Sequence, residues 1–145
     1  MDFGPIYIDH VGIATEDLEE ASLFWNLLGL IQGDHDETVD AQGVTTRFFS
    51  TSPVGSSTTP SKIELLLPTG PDTPVGRFLS KRGEGIQQLC FRVGDLHGLL
   101  QHLRENGIRL INEEPSVGAG GKLIAFVHPS STGGVLVELT QISRA

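Results

Sequence analysis

The feature that most constrains the fold of this chain is an internal repeat. Aligning Asp17-Leu18 with Asp95-Leu96 also brings Gly29 onto Gly107, and a slightly shorter offset aligns residues 63–65 with 137–139. Each copy keeps the same order of strand, helix start, helix, terminating glycine and strands. One copy alone would bury too little apolar surface to fold well. The sequence therefore predicts an α+β fold in which two βαβββ modules, about 5–70 and about 84–143, form a curved mixed sheet around a cleft within one domain of residues 1–145.

The first strand of the repeat places a histidine beside small residues. Residues 8–14 are mostly apolar or β-branched, with one aspartate and one histidine, and they contain no proline. Because alternate side chains of a strand share a face, Ile8, His10, Gly12 and Ala14 are expected to point the same way. Thr15 is the expected N-cap of the following helix, and Gly29 its C-terminal glycine. Such a face leaves room for a bound group beside His10.

Composition limits the classes of function. The chain has 145 residues, is 38% hydrophobic and carries a formal net charge of −8, which argues against a nucleic-acid or anionic-membrane partner. Its single cysteine, Cys90, excludes an intramolecular disulfide framework and is typical of a reducing compartment. No stretch has a membrane-spanning length or a signal-peptide pattern. We expect a cytoplasmic protein with a small-molecule substrate.

Four polar residues occupy matching positions of the two modules, namely His10 and Glu64 in the first and Gln88 and Glu138 in the second. Each lies mid-strand among apolar neighbours, where an unpaired charge is costly. A divalent cation would satisfy all four. The alternative is that His10 is a structural histidine and that both glutamates face solvent, as strand glutamates commonly do.

Several motifs resemble those of methylmalonyl-CoA epimerases in the vicinal oxygen chelate superfamily, which also contains glyoxalase I, bleomycin-resistance proteins and extradiol dioxygenases. The resemblance runs from about Tyr7 to Gln141, and its motifs are residues 9–14, 62–66, 82–86 and 120–140. It implies paired βαβββ modules, a divalent metal in the cleft and a homodimer. It also implies a metal-dependent epimerase or isomerase that abstracts a proton next to a carbonyl, with an acyl-CoA as one candidate substrate.

Carried over residue by residue, the resemblance makes His10, Glu64, Gln88 and Glu138 the metal ligands, with Glu138 and Glu64 as the carboxylates able to move a proton. The family has Gly-Ile-His-His where this chain has Gly85-Ile86-Gln87-Gln88. An amide is a harder and weaker ligand than imidazole, so this set favours Co²⁺, Mn²⁺, Mg²⁺ or Fe²⁺ over tight Zn²⁺ binding.

A second departure concerns the catalytic base. The resemblance implies a glutamate before the Gln-Gly of the family motif, whereas this chain reads Asp40-Ala41-Gln42-Gly43. On an extended strand Asp40 would point away from the position that Ala41 occupies. Two further hypotheses follow: a related metalloenzyme acting on another small oxygenated substrate, such as a secondary metabolite or a cyclitol, and a non-catalytic small-molecule-binding module.

Basic residues that could offset the charge of a CoA substrate are few. The sequence offers Arg47, Lys81, Arg82 and Lys122 for this role. The family often has a lysine after its His-Pro pair, and here that position is Ser130.

Overall fold

A computed structural model of the chain describes residues 3–51 and 60–141, in two compact units. The first unit is His10–Gln87, and the second combines Met1–Asp9 with Gln88–Ala145. The loop predicted over residues 51–61 lies mostly outside the described residues. The prediction of one domain with module boundaries near residues 70 and 84 stays a prediction.

The first unit is built on one parallel strand pair extended by antiparallel strands. In β1 (Tyr7–Ala14), residues 10–14 pair in parallel with β5 (Lys62–Pro68), and β5 pairs antiparallel with β4 (Val44–Ser50). Two short strands, β2 (Ile31–Gln32) and β3 (Glu37–Val39), also pair with β4. Its helices are α1 (Leu18–Leu28) and α2 (Pro74–Arg82).

The second unit has the same topology. In β6 (Gly85–Arg92), residues 89–92 pair in parallel with β9 (Val137–Gln141), β8 (Leu123–Val127) pairs antiparallel with β9, and β7 (Ser116–Val117) pairs with β8. The helix α3 (Leu96–Glu105) follows β6. The sequence also predicts a strand over residues 108–112, and this prediction is wrong, since the segment contributes only an isolated bridge from Leu110 to Val127. Parallel and antiparallel pairing with three helices confirms the α+β class.

The start of α1 differs from its prediction. Thr15 is not the N-cap, because its backbone N–H still belongs to the sheet and donates to the carbonyl of Leu66 at 2.9 Å. The helix begins later, and Asp17 caps it by accepting from the N–H of Glu20 at 3.1 Å. The predicted end is confirmed, since Gly29 lies at the C-cap with φ 103°. Such a left-handed conformation favours glycine.

Strand alternation separates a helix-covered face from a second face in each unit. The helix α1 packs through Leu18, Ala21 and Trp25 on one face of the first sheet. The helix α2 covers only the end of the other face, at Ala14, Val44 and Leu66. In the second unit α3 covers the face that carries Val127 and Leu139. No helix within residues 3–51 and 60–141 is both long and apolar enough to cross a membrane.

A buried arginine fastens α1 to the first sheet. Arg47 of β4 lies under the helix, where its Nη1 donates to the Leu18 carbonyl at 3.3 Å and to the Ser22 hydroxyl at 2.9 Å. Its Nε and Nη2 donate to the two carboxylate oxygens of Asp36, each at 2.8 Å. Nη2 also contacts Glu19 at 2.8 Å. These bonds raise the pKa of Arg47 and lower the pKa of Asp36.

We expect Asp36→Asn to lower the free energy of unfolding by about 1–3 kcal/mol, because it weakens a two-pronged bond to a buried cation. The matched change Glu19→Gln should cost less than about 1 kcal/mol, since the Glu19 side chain is 85% exposed. Urea unfolding at pH 7 measures both.

The pH dependence gives a second check on the same contact. The pKa of Asp36 lies below its ordinary value of 3.8 in the folded chain. The stabilisation is therefore complete above pH 4 and is lost as the pH falls through the lower, folded-state pKa. The difference between the native chain and Asp36→Asn should shrink on acidification below pH 4. A difference that is constant across that range would contradict this role of Asp36.

Candidate metal and catalytic site

The first unit brings His10 and Glu64 together on the face of the sheet opposite α1. Glu64 lies opposite Gly12 in the parallel β1–β5 register. The Nε2 of His10 is 3.1 Å from Oε1 of Glu64. His10 is 6% exposed and Glu64 is 4% exposed. The alternative in which Glu64 faces solvent is therefore wrong, because the structure buries this carboxylate beside the histidine.

The second unit contains the counterpart pair. Glu138 lies opposite Cys90 in the β6–β9 register, and the Nε2 of Gln88 donates to Oε1 of Glu138 at 3.1 Å. Both residues are 7% exposed. They lie on the face of β6 and β9 opposite α3, because Val137 and Leu139 of β9 pack toward that helix. The structure thus buries all four predicted residues and pairs them two by two, each pair within its own unit.

Each glutamate also has an aromatic neighbour that sequence reasoning missed. Phe48 lies opposite Glu64 in the β4–β5 register, and Phe126 lies opposite Glu138 in the β8–β9 register. The ring of Phe48 meets that of His10 edge to face at 5.6 Å. The signal was present in the sequence, since the alignment that pairs His10 with Gln88 also pairs the two phenylalanines. The apolar rings shield each pair from water, which strengthens its electrostatic interactions.

The segment around Ala41 is a turn, where the sequence reasoning assumed a strand. Residues Asp40–Gln42 form one turn of 3₁₀ helix, and Gly43 closes it with φ 66°. Ala41 is exposed. The prediction that Asp40 points away from the Ala41 position is therefore wrong. Side chains alternate on a strand, but in a 3₁₀ turn successive side chains are about a third of a rotation apart.

Among the basic residues considered for an anionic substrate, Arg47 already binds other groups of the protein. Its donors bind Asp36, Glu19 and the start of α1 on the helix-covered face. Arg82 lies in the last turn of α2 with its guanidinium 5.8 Å from the centre of the Phe78 ring. Lys81 lies in the same turn and is exposed.

The donor chemistry of the two pairs suits a divalent cation. An imidazole nitrogen and carboxylate oxygens ligate divalent first-row metals, and the Gln88 amide can add its carbonyl oxygen. Because Nε2 of Gln88 donates to Glu138, Oε1 is the Gln88 atom suited to bind an ion. The same carboxylates, held in place on rigid strands, could accept a proton from a bound substrate.

Comparison with known proteins identifies the class. Residues 9–126 match the model of the Glyoxalase/Bleomycin resistance protein/Dioxygenase superfamily, and the chain belongs to it. The ethylmalonyl-CoA/methylmalonyl-CoA epimerase of Cereibacter sphaeroides is 39% identical over 93% of this chain and 97% of its own. The uncharacterized protein YqjC of Bacillus subtilis is 41% identical over 92% of this chain and 91% of its own.

A solved structure agrees with the sequence relatives. A methylmalonyl-CoA epimerase in complex with methylmalonyl-CoA and NH4+ superimposes with a TM-score of 0.85 and 34% identity, covering 94% of each chain. The chain is thus a member of the methylmalonyl-CoA epimerase family within the superfamily. The predicted family and the predicted enzyme class, an epimerase, are confirmed.

We expect Gln88→Leu to lower the free energy of unfolding by about 1.5–3 kcal/mol, because it removes a donor from a buried carboxylate. The chain supplies a matched control in Gln101, whose Nε2 donates to Oε1 of Glu105 at 3.1 Å on an exposed helix surface. Gln101→Leu should change stability by less than about 0.5 kcal/mol. Equal effects of the two substitutions in urea unfolding would show that the buried bond has no special weight.

Proposed function

We propose that this chain catalyses epimerisation of a 2-substituted malonyl-CoA, such as methylmalonyl-CoA, by proton abstraction next to a carbonyl. The observation that carries the proposal is the burial of two strand carboxylates, Glu64 and Glu138, each beside a second polar side chain. Replacing a buried ion pair with apolar residues is often neutral or stabilising, so two buried carboxylates point to binding or chemistry. The solved relative in complex with methylmalonyl-CoA supports the substrate class.

We assign His10, Glu64, Gln88 and Glu138 as the ligands of one divalent metal ion. The assignment is supported by the ligating atom types and by the matching registers of the two pairs. Three oxygen donors and one imidazole suit Co²⁺, Mn²⁺, Mg²⁺ or Fe²⁺ better than Zn²⁺. When bound, the ion would supply Lewis-acid stabilisation of the negative charge that develops on a carbonyl oxygen.

The carboxylates are the groups that would transfer protons. Glu138 is our first choice as the base, because the Gln88 amide holds this buried carboxylate in place by donating to its Oε1. Glu64 has a comparable position beside His10 and is the second candidate carboxylate. Inversion needs a proton removed on one face of the carbon and delivered on the other, and the family resemblance assigns one of the two groups to the position that Ala41 occupies here.

A second candidate function is favoured by the residues at positions 41 and 88. Ala41 provides no acid or base, and Gln88 is a weaker ligand than histidine. Both changes would slow turnover of methylmalonyl-CoA. A metalloenzyme of the same superfamily acting on another small oxygenated substrate, such as a secondary metabolite or a cyclitol, is the alternative.

We also propose a homodimer formed through α1. Four large apolar side chains of this helix face outward, with exposed fractions of 62% for Leu23, 60% for Phe24, 87% for Leu27 and 60% for Leu28. Contiguous exposed apolar surface of this kind marks protein interfaces. Sedimentation equilibrium at micromolar concentration should give twice the chain mass of 15.6 kDa. A monomer mass for the native chain would exclude the dimer.

The metal assignment is tested by titrating the purified, chelator-treated chain with Co²⁺ and Zn²⁺ in a calorimeter. His10→Ala should abolish stoichiometric binding, whereas His97→Ala, an exposed histidine of α3, should leave it unchanged. Gln88→His should tighten Zn²⁺ binding by about tenfold or more, because imidazole replaces an amide. Unchanged Zn²⁺ affinity in Gln88→His would remove Gln88 from the ligand set.

The reaction is tested with methylmalonyl-CoA in deuterated water, following inversion and α-proton exchange separately. We expect inversion to be slow in the native chain and to rise about 10²-fold or more in Ala41→Glu, since a general base contributes roughly 10²–10⁴-fold. Exchange should be less impaired than inversion, because it needs only one base. If the native chain inverts methylmalonyl-CoA at full rate and Ala41→Glu has no effect, position 41 is not one of the two acid/base positions.

A further inference from the structure

The second unit contains an apolar pocket on the face of its sheet away from Gln88 and Glu138. The pocket has a volume of about 320 Å³ and lies between α3 and the strands β6, β8 and β9. Its walls include Leu99 and Leu103 of the helix, with Phe91, Val127 and Leu139 of the strands. Ile6, which is 54% exposed, lies at the rim. The pocket is therefore lined by core residues and open to solvent.

The internal repeat explains why the space exists here. The alignment that superposes α1 on α3, with Gly29 on Gly107, places Trp25 at the position of Leu103. In the first unit the Trp25 indole packs against the sheet beneath α1. Leucine has a much smaller side chain than tryptophan, so the equivalent space under α3 is only partly filled.

The lining determines what could enter. Only two hydroxyls, those of Ser131 and Thr132, come from polar side chains in the wall. Ser131 Oγ accepts from the N–H of Arg109 at 2.9 Å. Thr132 Oγ1 donates to the carbonyl of Val135 and accepts from its N–H. Since Thr132 both donates and accepts within the protein and Ser131 already accepts one bond, a ligand would meet apolar surface, no charge and at most the Ser131 hydroxyl as a polar partner.

We propose that this pocket is a binding site for a small, neutral, apolar molecule. An apolar cavity of about 150 Å³ in another protein binds benzene, so a pocket of this size would hold roughly ten carbon atoms. A polar ligand is disfavoured, because its hydrogen-bonding groups would lose water without gaining partners. Because the pocket and the Gln88–Glu138 pair lie on opposite faces of β9, occupancy does not depend on the proposed reaction.

Benzene titration of the full-length chain, followed by methyl NMR, tests the site. We expect saturable shifts of the methyl groups of Val93, Leu99, Val127 and Leu139, and at least about tenfold weaker binding of phenol. Shifts that rise linearly without saturation would overturn the proposal. Shifts of these same methyl groups that change with protein concentration in the absence of benzene, while the methyl groups of α1 do not change, would also overturn it, because a second copy would then occupy the pocket.

Filling the pocket provides the matched variants. Leu103→Trp places in the second unit the residue that the first unit already has, and it should weaken benzene binding at least tenfold while raising the melting temperature. Ile111→Trp, at a position that is 51% exposed, makes a similar enlargement outside the pocket and should leave binding unchanged. Leu103→Phe serves the same purpose if the tryptophan variant does not fold. Native-like benzene binding in a folded Leu103 variant would exclude this pocket.

Discussion

The strand positions of Glu64 and Glu138 impose the central constraint on this chain, because each buried carboxylate must keep a polar partner. An uncompensated charge in such surroundings costs several kcal/mol. In each unit a polar partner offsets this cost, because His10 lies beside Glu64 and Gln88 lies beside Glu138. In both cases the partner comes from the strand that pairs in parallel with the one bearing the glutamate. Parallel pairing is thus the feature on which the candidate site depends.

The helices follow from the same alternation of side chains. Because apolar residues occupy the positions between the polar ones, each sheet has one face to bury, and α1 or α3 buries it. In the first unit Arg47 contributes a further link, since its guanidinium holds the first turn of α1 through Leu18 and Ser22. The cation belongs to the covered face, and its cost of burial is offset by Asp36 and Glu19. The opposite face of the first sheet carries His10 and Glu64 of the candidate site.

Much of the fold was predictable because the repeat shows most elements twice in the sequence. The order of most helices and strands and the glycine at the end of α1 followed from sequence periodicity, whereas the sequence left open whether the glutamates are buried. The errors are local. The sequence predicts Thr15 as the N-cap because threonine is common at that position, but its N–H bonds to Leu66 in the sheet. The turn at Asp40–Gln42 and the role of Asp36 depend on tertiary contacts that no local pattern encodes.

The repeat also shows which differences between the units matter for function. The neighbours of the two glutamates correspond closely, since Phe48 and Phe126 hold the same register position beside them. What differs is the partner itself, an imidazole in one unit and an amide in the other. Exchanging one for the other requires no change of backbone, because both side chains reach the carboxylate from the same strand position. Under the proposed metal assignment, an exchange at position 88 would alter metal preference while the fold is unchanged, so this departure bears on chemistry more than on the scaffold.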